Sequence, residues 1–296
     1  MRRAHKGITG TVRRFSTLPR RYGISTAKIR NRLRGMIDLL QRLDITPTIP
    51  VAARTLERHP EFRLELEQVD PAIHGYRHVA YADMTRAEQE QDLHAARGVF
   101  KRHGLPVRGF RAPYLAANST TRELLAKAGF LYDSSVACIA TAAGDSLFHE
   151  AQRAAARRYA GVSVGTANVT VADGLVEIPV ALPDDEILVD GLAITNPETL
   201  TRVMDRMLDA AYAQSSALVL QIHPERFPLF AIAIEHVSRR AAEFGAWRAP
   251  LSEIAHHAAR AGVNGSSSFV FAVSGDLDAA SLGDFASRLW EHGQWR

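Results

Sequence analysis

Two histidines four residues apart could place two nitrogen ligands beside one metal ion. They are His74 and His78, in the segment Ile73-His74-Gly75-Tyr76-Arg77-His78. On one helical turn, side chains at this spacing lie on the same side, and a catalytic zinc usually has three protein ligands and one open position. The chain has 12 histidines, so the pair taken alone is more often a pair of solvated or core residues. A metal site here requires a carboxylate ligand from elsewhere in the chain.

An Asp-x-Asp motif near the end of the sequence offers such a carboxylate. An apolar, β-rich segment, residues 269–275, leads directly into Asp276-Leu277-Asp278. Residues i and i+2 of an extended strand face the same side, so Asp276 and Asp278 can point into one site. The alternative interpretation is a surface turn with two solvated acids, because this motif is common.

Other polar residues follow predicted strands. His223 ends the apolar segment 216–223 and is a candidate general acid, since imidazole titrates near neutral pH. The alternative is a half-buried histidine at a strand end. Arg111 and Asp133 follow two further short strands. The acidic cluster 184–186 is interpreted as a solvated loop, with a position lining the substrate cleft as the alternative.

Composition indicates a soluble globular protein with a sizeable core. The chain has 296 residues, of which 46% are hydrophobic and 23% charged. Its single cysteine, Cys138, excludes an intramolecular disulfide bond. No run approaches the roughly 18 apolar residues of a membrane span, so we expect a cytoplasmic protein.

The beginning of the sequence is strongly basic. Residues 1–34 contain 11 Lys and Arg and no Asp or Glu, and they lack the apolar region of an export signal. We interpret this arm as a flexible, solvated segment. Weak contact with an anionic membrane surface or another polyanion is the alternative, and we expect no specific nucleic-acid partner.

Apolar periodicity predicts short strands alternating with longer helices, which favours a parallel sheet or barrel over a sandwich. Thr85 and Glu88 form a capping box at the start of one helix. The predicted helices cover residues 26–43, 52–58, 85–102, 121–128, 148–158, 197–213, 229–245, 250–261 and 281–290. The predicted strands lie within residues 44–51, 108–114, 130–135, 162–171, 175–182, 216–223 and 269–275. The polar clusters follow the strands, at the edge where active sites of α/β folds are built.

Four segments, in this order, resemble motifs of the polysaccharide deacetylase family, the NodB-homology group of carbohydrate esterases. They are Ile73-His74-Gly75-Tyr76-Arg77-His78, Gly109-Phe110-Arg111-Ala112-Pro113-Tyr114, Tyr132-Asp133-Ser134-Ser135 and Leu220-Gln221-Ile222-His223-Pro224. The resemblance covers roughly residues 20–260. It implies a distorted (β/α)7 barrel and metal-dependent hydrolysis of N-acetyl or similar amides.

The resemblance also implies roles for individual residues. Each role is carried over from a matching motif position: His74 and His78 as metal ligands, Arg111 orienting the catalytic base, the Tyr114 backbone amide holding the oxyanion, His223 as the acid, and Asp133 as its orienting partner.

The family's opening strand carries a pair of aspartates, but the first acid of this chain is Asp38. Residues 269–278 and the predicted helix 281–290 resemble that opening strand and the helix after it. We therefore hypothesise a circular permutation that moved the first βα unit to the C-terminus, behind a joint at residues 264–268. Asp276 would then be the general base and Asp278 the third metal ligand. The expected organisation is a basic arm (1–25), the main part of the barrel (26–263) and a strand-helix unit completing it (264–296).

The expected function is removal of an acetyl or formyl group from an N-acylated sugar or polysaccharide. A divalent metal ion, zinc in the first instance and another transition metal otherwise, would hold the attacking water. Asp276 would deprotonate this water, and His223 would protonate the departing amine. The alternative is a non-catalytic module of the same fold that binds a carbohydrate or a lipid-linked sugar.

Overall fold

The computed structural model describes residues 18–159, 161–261 and 269–294. The strands are β1 (Thr48–Val51), β2 (Asp70–Ile73), β3 (Gly109–Phe110), β4 (Tyr132–Asp133), β5 (Ala137–Ile139), β6 (Ser163–Val164), β7 (Thr170–Ala172), β8 (Leu175–Glu177), β9 (Val180–Ala181), β10 (Ala217–Gln221), β11 (Trp247–Arg248) and β12 (Val270–Ser274). The α-helices are α1 (Ala27–Arg42), α2 (Ala53–Arg58), α3 (Arg63–Leu66), α4 (Arg86–Arg102), α5 (Ser119–Lys127), α6 (Ser146–Arg158), α7 (Pro197–Ala213), α8 (Phe227–Glu243), α9 (Leu251–Ala261) and α10 (Leu282–Gln294).

A curled, mostly parallel sheet organises the fold. Its strand order is β10-β12-β1-β2-β3-β4-β8-β7, and β11 also pairs with β12. Every pair from β10 to β8 is parallel, and β7 joins β8 antiparallel. The parallel sheet predicted from the alternation of strands and helices is therefore confirmed, as a half-barrel. The carboxyl ends of its parallel strands meet at one edge.

Capping residues and a glycine set the ends of the long helix α4. Thr85 and Glu88 form the predicted capping box at the start of α4, and each side chain accepts a backbone N–H of the other's residue. The helix ends before Gly104, whose φ of 68° lies in the left-handed region that glycine adopts readily. Along α1, Leu33, Met36 and Leu40 form part of a buried stripe that packs on the core.

Strand β12 lies between β10 and β1. Its residues pair with β10 from Ala217↔Val270 to Gln221↔Ser274, and Ser274 also pairs with Thr48 of β1. The chain then continues beside β1, because the Leu277 N–H donates to the Pro50 carbonyl at 2.8 Å. The Asp-x-Asp motif consequently follows a central strand of the sheet.

Gly275 permits this close approach. A Cβ at this position would lie 1.9 Å from the carbonyl oxygen of Ile222, much closer than real atoms approach. A glycine is therefore required where β12 passes the end of β10.

Some elements were not predicted. β2 contains Pro71 and has only four residues, so it lacks the length and alternation that identify a strand from sequence. The three-residue strand β5 was also missed, and with it the small sheet of order β6-β5-β9, whose other two strands lie within predicted ranges. Within residues 162–171, predicted to be β-rich, the structure has one short strand and the start of another.

The basic arm lies largely, and the proposed joint at residues 264–268 entirely, outside the described residues. In the described part of the chain, no helix combines the length and the apolar character needed to cross a membrane.

Candidate active site

The two histidines lie in a tight turn after β2. The structure has no helical turn here, so the pair meets through a loop rather than through helical spacing. Gly75 adopts a φ of 72°, and the imidazole ring centres of His74 and His78 are 5.0 Å apart. A glycine at this position allows the chain to turn back so that both rings face the same cleft.

Asp92, buried on α4, fixes this turn and the segment after it by hydrogen bonds. Its carboxylate accepts the Tyr76 backbone N–H at 2.6 Å, the Arg77 backbone N–H at 3.3 Å and the Tyr81 hydroxyl at 2.7 Å. The predicted helix that begins at Thr85 thus positions the histidine turn as well as packing on the core.

The tautomer of His74 follows from its partner. Its Nδ1 lies 2.8 Å from the carbonyl oxygen of Arg111, which can only accept, so Nδ1 carries the proton. The lone pair on Nε2 therefore faces the cleft, as in metal sites where the second imidazole nitrogen is fixed by a carbonyl. For His78, burial lowers the pKa to about 4 despite the neighbouring Asp278 carboxylate, so this imidazole is neutral at pH 7.

Asp278 completes a set of three possible ligands. Its Oδ1 lies 3.4 Å from His74 Nε2, and its Oδ2 lies 3.1 Å from His78 Nε2. One ligand atom from each of these three residues lies within 4.8 Å of the others. Among the described residues, Oδ1 is buried and has no hydrogen-bond partner, which leaves it available to a cation.

Arg288 of α10 also binds Asp278. Its Nη1 donates to Oδ2 at 2.8 Å, and its side chain is only 10% exposed. Burial alone would raise the pKa of Asp278, but the neighbouring His78 and Arg288 outweigh it and hold the pKa well below the ordinary value. The carboxylate is therefore ionised, with one oxygen bound by the guanidinium and the other facing His74.

Asp276 has different partners. Its Oδ1 accepts from Arg111 Nη1 at 2.9 Å, and its Oδ2 accepts from Gln221 Nε2 at 3.0 Å. The same Oδ2 lies 3.6 Å from His74 Nε2 and 4.0 Å from His223 Nε2. Asp276 is thus fixed beside the three possible ligands and faces His223 across the cleft.

Arg111 is fully buried and fixed on both sides. Its Nε donates to the Ser134 carbonyl and its Nη2 to the Ser134 hydroxyl, both at 3.1 Å. Three hydrogen bonds, with the one to Asp276 included, hold the guanidinium in a single orientation. Arg111 therefore fixes the Asp276 carboxylate, and its role in orienting a catalytic base stays a prediction.

Asp185, rather than Asp133, is the partner of His223. Asp185 Oδ1 lies 2.7 Å from His223 Nδ1, and its Oδ2 accepts the His223 backbone N–H at 2.7 Å. Burial would lower the pKa of His223, but the Asp185 carboxylate outweighs it and raises the pKa well above the ordinary value. The acidic cluster 184–186 is therefore not a solvated loop, because Asp184 and Asp185 are buried.

Asp133 lies elsewhere in the core. Its Oδ1 accepts a hydrogen bond from the Ser135 hydroxyl, which in turn accepts the Ala112 backbone N–H at 2.8 Å. Burial raises the pKa of Asp133 to about 6. The residue supports the loop that carries Arg111 and Tyr114, so its predicted role as partner of His223 is wrong.

Tyr114 lines the cleft from the loop after β3. Its φ of 61° is unusual for a residue with a side chain, a conformation that costs on the order of 1–3 kcal/mol and is common at functional sites. Its ring meets that of His78 edge-on, with 4.5 Å between ring centres. Leu115, Tyr159 and Glu186 line the same cleft.

Four residues of the site were not predicted from the sequence. Asp185, Gln221 and Arg288 each contact one of the predicted residues, and Asp92 holds the turn that joins His74 to His78. Gln221 is the last residue of β10 and lies two positions before His223. This spacing could have indicated that the two side chains lie on the same face of an extended segment. Asp185 and Arg288 are brought in by tertiary packing, for which the sequence has no local pattern.

These observations define a class: a parallel α/β half-barrel with histidines, aspartates and a buried arginine gathered at its carboxyl-terminal edge. The polysaccharide deacetylase family model matches residues 26–132. Residues 26–132 are therefore similar to the polysaccharide deacetylase family, as the motifs in this part of the chain predicted. The matched part contains His74, His78 and Arg111, whereas Asp276 and Asp278 lie outside it. A search of proteins with curated functions found no match.

Solved structures share the fold. A protein from Mycobacterium smegmatis assigned as a polysaccharide deacetylase has a TM-score of 0.60 and 24% identity, covering 76% of each chain. Another, from Pseudomonas aeruginosa PAO1, has a TM-score of 0.60 and 20% identity, covering 77% of this chain and 73% of its own. An allantoinase has a TM-score of 0.55 and 18% identity, covering 75% of this chain and 70% of its own. The predicted NodB-like α/β fold is confirmed by these likenesses.

Proposed function

We propose that the protein removes an acetyl or formyl group from an N-acylated sugar or polysaccharide, with a divalent metal ion held by His74, His78 and Asp278. The observation that carries the proposal is the convergence of these three side chains within 4.8 Å, beside an Asp276 fixed by Arg111. The family match supports the same chemistry.

The donor set suits a transition metal such as zinc. Two imidazole nitrogens and one carboxylate oxygen form a set that catalytic zinc sites use. The Nδ1 of His74 is occupied by a backbone carbonyl, and Asp278 Oδ1 is a buried acceptor without a hydrogen-bond partner in the described part of the chain. When bound, the metal would supply a Lewis acid that polarises the acyl carbonyl and makes a water more acidic.

Asp276 is the proposed general base. Its Oδ1 is held by Arg111, and its Oδ2 is held by Gln221, so the carboxylate cannot rotate away from the cleft. Oδ2 lies toward His74 and His223, where a water attacking the acyl carbonyl would stand. Asp276 accepts the proton of that water as the carbon–oxygen bond forms.

His223 is the proposed general acid. Asp185 binds its Nδ1 and keeps the imidazolium form stable, so Nε2 carries a proton at neutral pH. Nε2 faces the cleft and donates this proton to the amine as the carbon–nitrogen bond breaks. The Tyr114 backbone amide is the proposed donor to the developing oxyanion.

Metal binding tests the assignment of ligands. Asp278→Asn keeps the volume of the side chain but removes its charge, and we expect metal affinity at least about tenfold weaker, measured by calorimetric titration. The matched control is Asp276→Asn, two residues away, which should bind the metal but lose turnover. Equal metal affinity in Asp278→Asn and the unchanged protein would contradict the ligand set.

One observation favours the alternative, a non-catalytic carbohydrate-binding module. Arg288 already places a cation on Asp278 Oδ2, 2.8 Å away, and this charge competes with a metal for the same carboxylate. A purified protein that binds no stoichiometric divalent ion after loading, yet still binds acylated oligosaccharides, would favour the binding module.

A further inference from the structure

Arg288 brings a positive charge into the wall of the catalytic cleft. It lies on α10, ten positions after Asp278, so the proposed ligand and this arginine belong to one strand-helix unit that begins with β12. The side chain is only 10% exposed, and it lines the cleft together with His78, Tyr114 and Asp278. None of the steps proposed for the base, the acid and the oxyanion donor uses this charge.

The guanidinium group of Arg288 is held from two sides. Its Nη1 donates to Asp278 Oδ2 at 2.8 Å, and the group lies over the ring of Phe285, with 5.1 Å to the ring centre. Phe285 precedes Arg288 by three positions on α10, a spacing that puts both side chains on the same face of the helix. Phe285 is itself buried and packs against Tyr22. The positive charge is therefore fixed beside Asp278.

The contact with Asp278 supplies charge more than hydrogen bonding. Arg288 binds this carboxylate through Nη1, whereas its Nε is buried and has no hydrogen-bond partner in the part of the chain that the structure describes. The planar fork of an arginine can make two parallel hydrogen bonds when orientation is its role. Asp276 has a neutral donor for that purpose, because Gln221 Nε2 donates to its Oδ2 at 3.0 Å. What distinguishes Arg288 from such a donor is its charge.

Arginines already balance both carboxylates of the Asp-x-Asp motif. Asp278 pairs with Arg288 at 2.8 Å and Asp276 pairs with Arg111 at 2.9 Å, so two negative charges face two positive ones. The histidine ligands add no charge, because a metal binds imidazole in its neutral form. A divalent cation held by this donor set therefore meets carboxylates whose charge is already neutralised.

Arg288 has two opposite effects on a metal bound to Asp278. Its hydrogen bond fixes the orientation of the carboxylate, which strengthens metal binding. Its positive charge repels a cation bound to the same carboxylate, and burial leaves this repulsion only weakly screened by water and salt. Repulsion between full charges in a buried site outweighs a single hydrogen bond, whose net contribution is small. The combined effect is weaker metal binding.

We propose that Arg288 is a positioning residue that limits the metal affinity of the site, because it holds Asp278 with a positive charge that competes with the metal for the carboxylate. The inference rests on the proposed function, since it concerns how the metal is controlled at that same site. The metal is then exchangeable, and occupancy of the site follows the free concentration of the divalent ion.

Zinc affinity and zinc release test this role without a measurement of turnover. Arg288→Gln retains an N–H donor but removes the charge, and we expect its zinc affinity, measured by calorimetric titration, to be about tenfold or more higher. Release of zinc to an excess of a coloured chelator should slow by a similar factor. Arg288→Lys keeps the charge and should bind zinc within about threefold of the unchanged protein.

Two further variants separate charge from packing. Arg288→Met fills similar space without a charge or a donor, should also bind zinc more tightly, and decides the question if thermal melting shows that Arg288→Gln does not fold. The control is Arg240→Gln, which removes a partly buried arginine that binds Asp205 and Asp209, outside the cleft. This control should leave the zinc affinity unchanged.

The two proposals fail in different ways. Equal or weaker zinc binding by the neutral Arg288 variants, or a gain in Arg288→Lys as large as that in Arg288→Gln, would overturn the role of Arg288. Tighter zinc binding by the neutral variants, in a protein whose unchanged form releases no acetate from acylated sugars, would support this role and contradict deacylation.

Discussion

Asp276 and Asp278 stand two residues apart and have different surroundings. Asp276 is held by Arg111 and Gln221, whereas Asp278 is held by His78 and Arg288 and keeps one buried oxygen without a partner among the described residues. A carboxylate that acts as a general base must stay in one orientation, and hydrogen-bond donors that face away from the substrate, such as those of Arg111 and Gln221, can provide this. A metal ligand needs an oxygen left available. The partners of each acid therefore suit the role proposed for it.

Asp185→Asn tests how His223 is kept protonated. Asp185 raises the pKa of His223 well above the ordinary value of about 6.5, so the acid form persists as pH rises through neutrality. Without the carboxylate the pKa falls, and the proton is lost at lower pH. We expect the alkaline limb of the kcat/KM profile to shift toward lower pH, with activity at pH 8 reduced about tenfold or more.

Asp133→Asn is the matched control for this profile. Asp133 is equally buried but pairs with Ser135, so the alkaline limb should stay in place even if the variant is less stable. If the alkaline limb of the kcat/KM profile shifts in Asp133→Asn but not in Asp185→Asn, then Asp133 rather than Asp185 is the partner of His223.

The sequence could predict residues that carry their own motif. His74, His78, Arg111, Asp276 and Asp278 stood at strand ends or in recognisable patterns, and the structure brings all five together. Their chemical roles stay predictions. Asp185 could not be predicted, because its contact with His223 joins residues 38 positions apart. Asp133 was chosen instead because it lies in the family-like segment Tyr132-Asp133-Ser134-Ser135, and this choice was wrong.

At the scale of elements, β12 connects the two halves of the site. It pairs with β10, which leads to His223, and with β1, next to the strand that leads to His74. The Cβ of an alanine at Gly275 would lie 1.9 Å from the Ile222 carbonyl oxygen, so β12 and β10 would have to separate. We expect Gly275→Ala to lower the free energy of unfolding by about 1–3 kcal/mol or more, measured by chemical denaturation.

Gly283→Ala provides the comparison. Gly283 lies on α10, where the nearest atom to an added Cβ is 3.6 Å away. Replacing a helical glycine by alanine should leave stability unchanged or raise it by up to about 1 kcal/mol. Equal stability of both variants would contradict the close packing of β12 against β10.

Long elements were predictable, whereas some of the very short strands were not. The helices 197–213 and 250–261 have strong amphipathic patterns and appear within one residue of their predicted bounds. The strands β5 and β11, with three and two residues, were not predicted, because they are defined by neighbours in the sheet rather than by their own alternation. Pattern length therefore sets what sequence can predict about elements.

For the whole molecule, the circular permutation stays a prediction with specific geometric support. The Leu282 N–H at the start of α10 donates to the Gly23 carbonyl at 2.9 Å, and the rings of Tyr22 and Phe285 have centres 5.5 Å apart. The start of α10 thus packs against the chain that precedes α1.

Rearranging the chain tests this relationship. A variant in which residues 269–296 precede residue 18 through a flexible linker should fold with the same circular dichroism spectrum, because every contact of β12 can be kept. Its metal affinity should lie within about tenfold of that of the original order. An unfolded product, or one that has lost the metal, would contradict the idea that the unit can stand at either end.

Release of acetate or formate from an N-acylated sugar tests the central claim most directly. The metal-loaded protein and its Asp276→Asn variant are incubated with N-acetylated and N-formylated sugars, neutral and anionic, and the free acid is quantified. The account predicts release by the unchanged protein and a loss of about 100-fold or more in the variant, with metal still bound. No release from any of these sugars, or equal release by the variant, would contradict it.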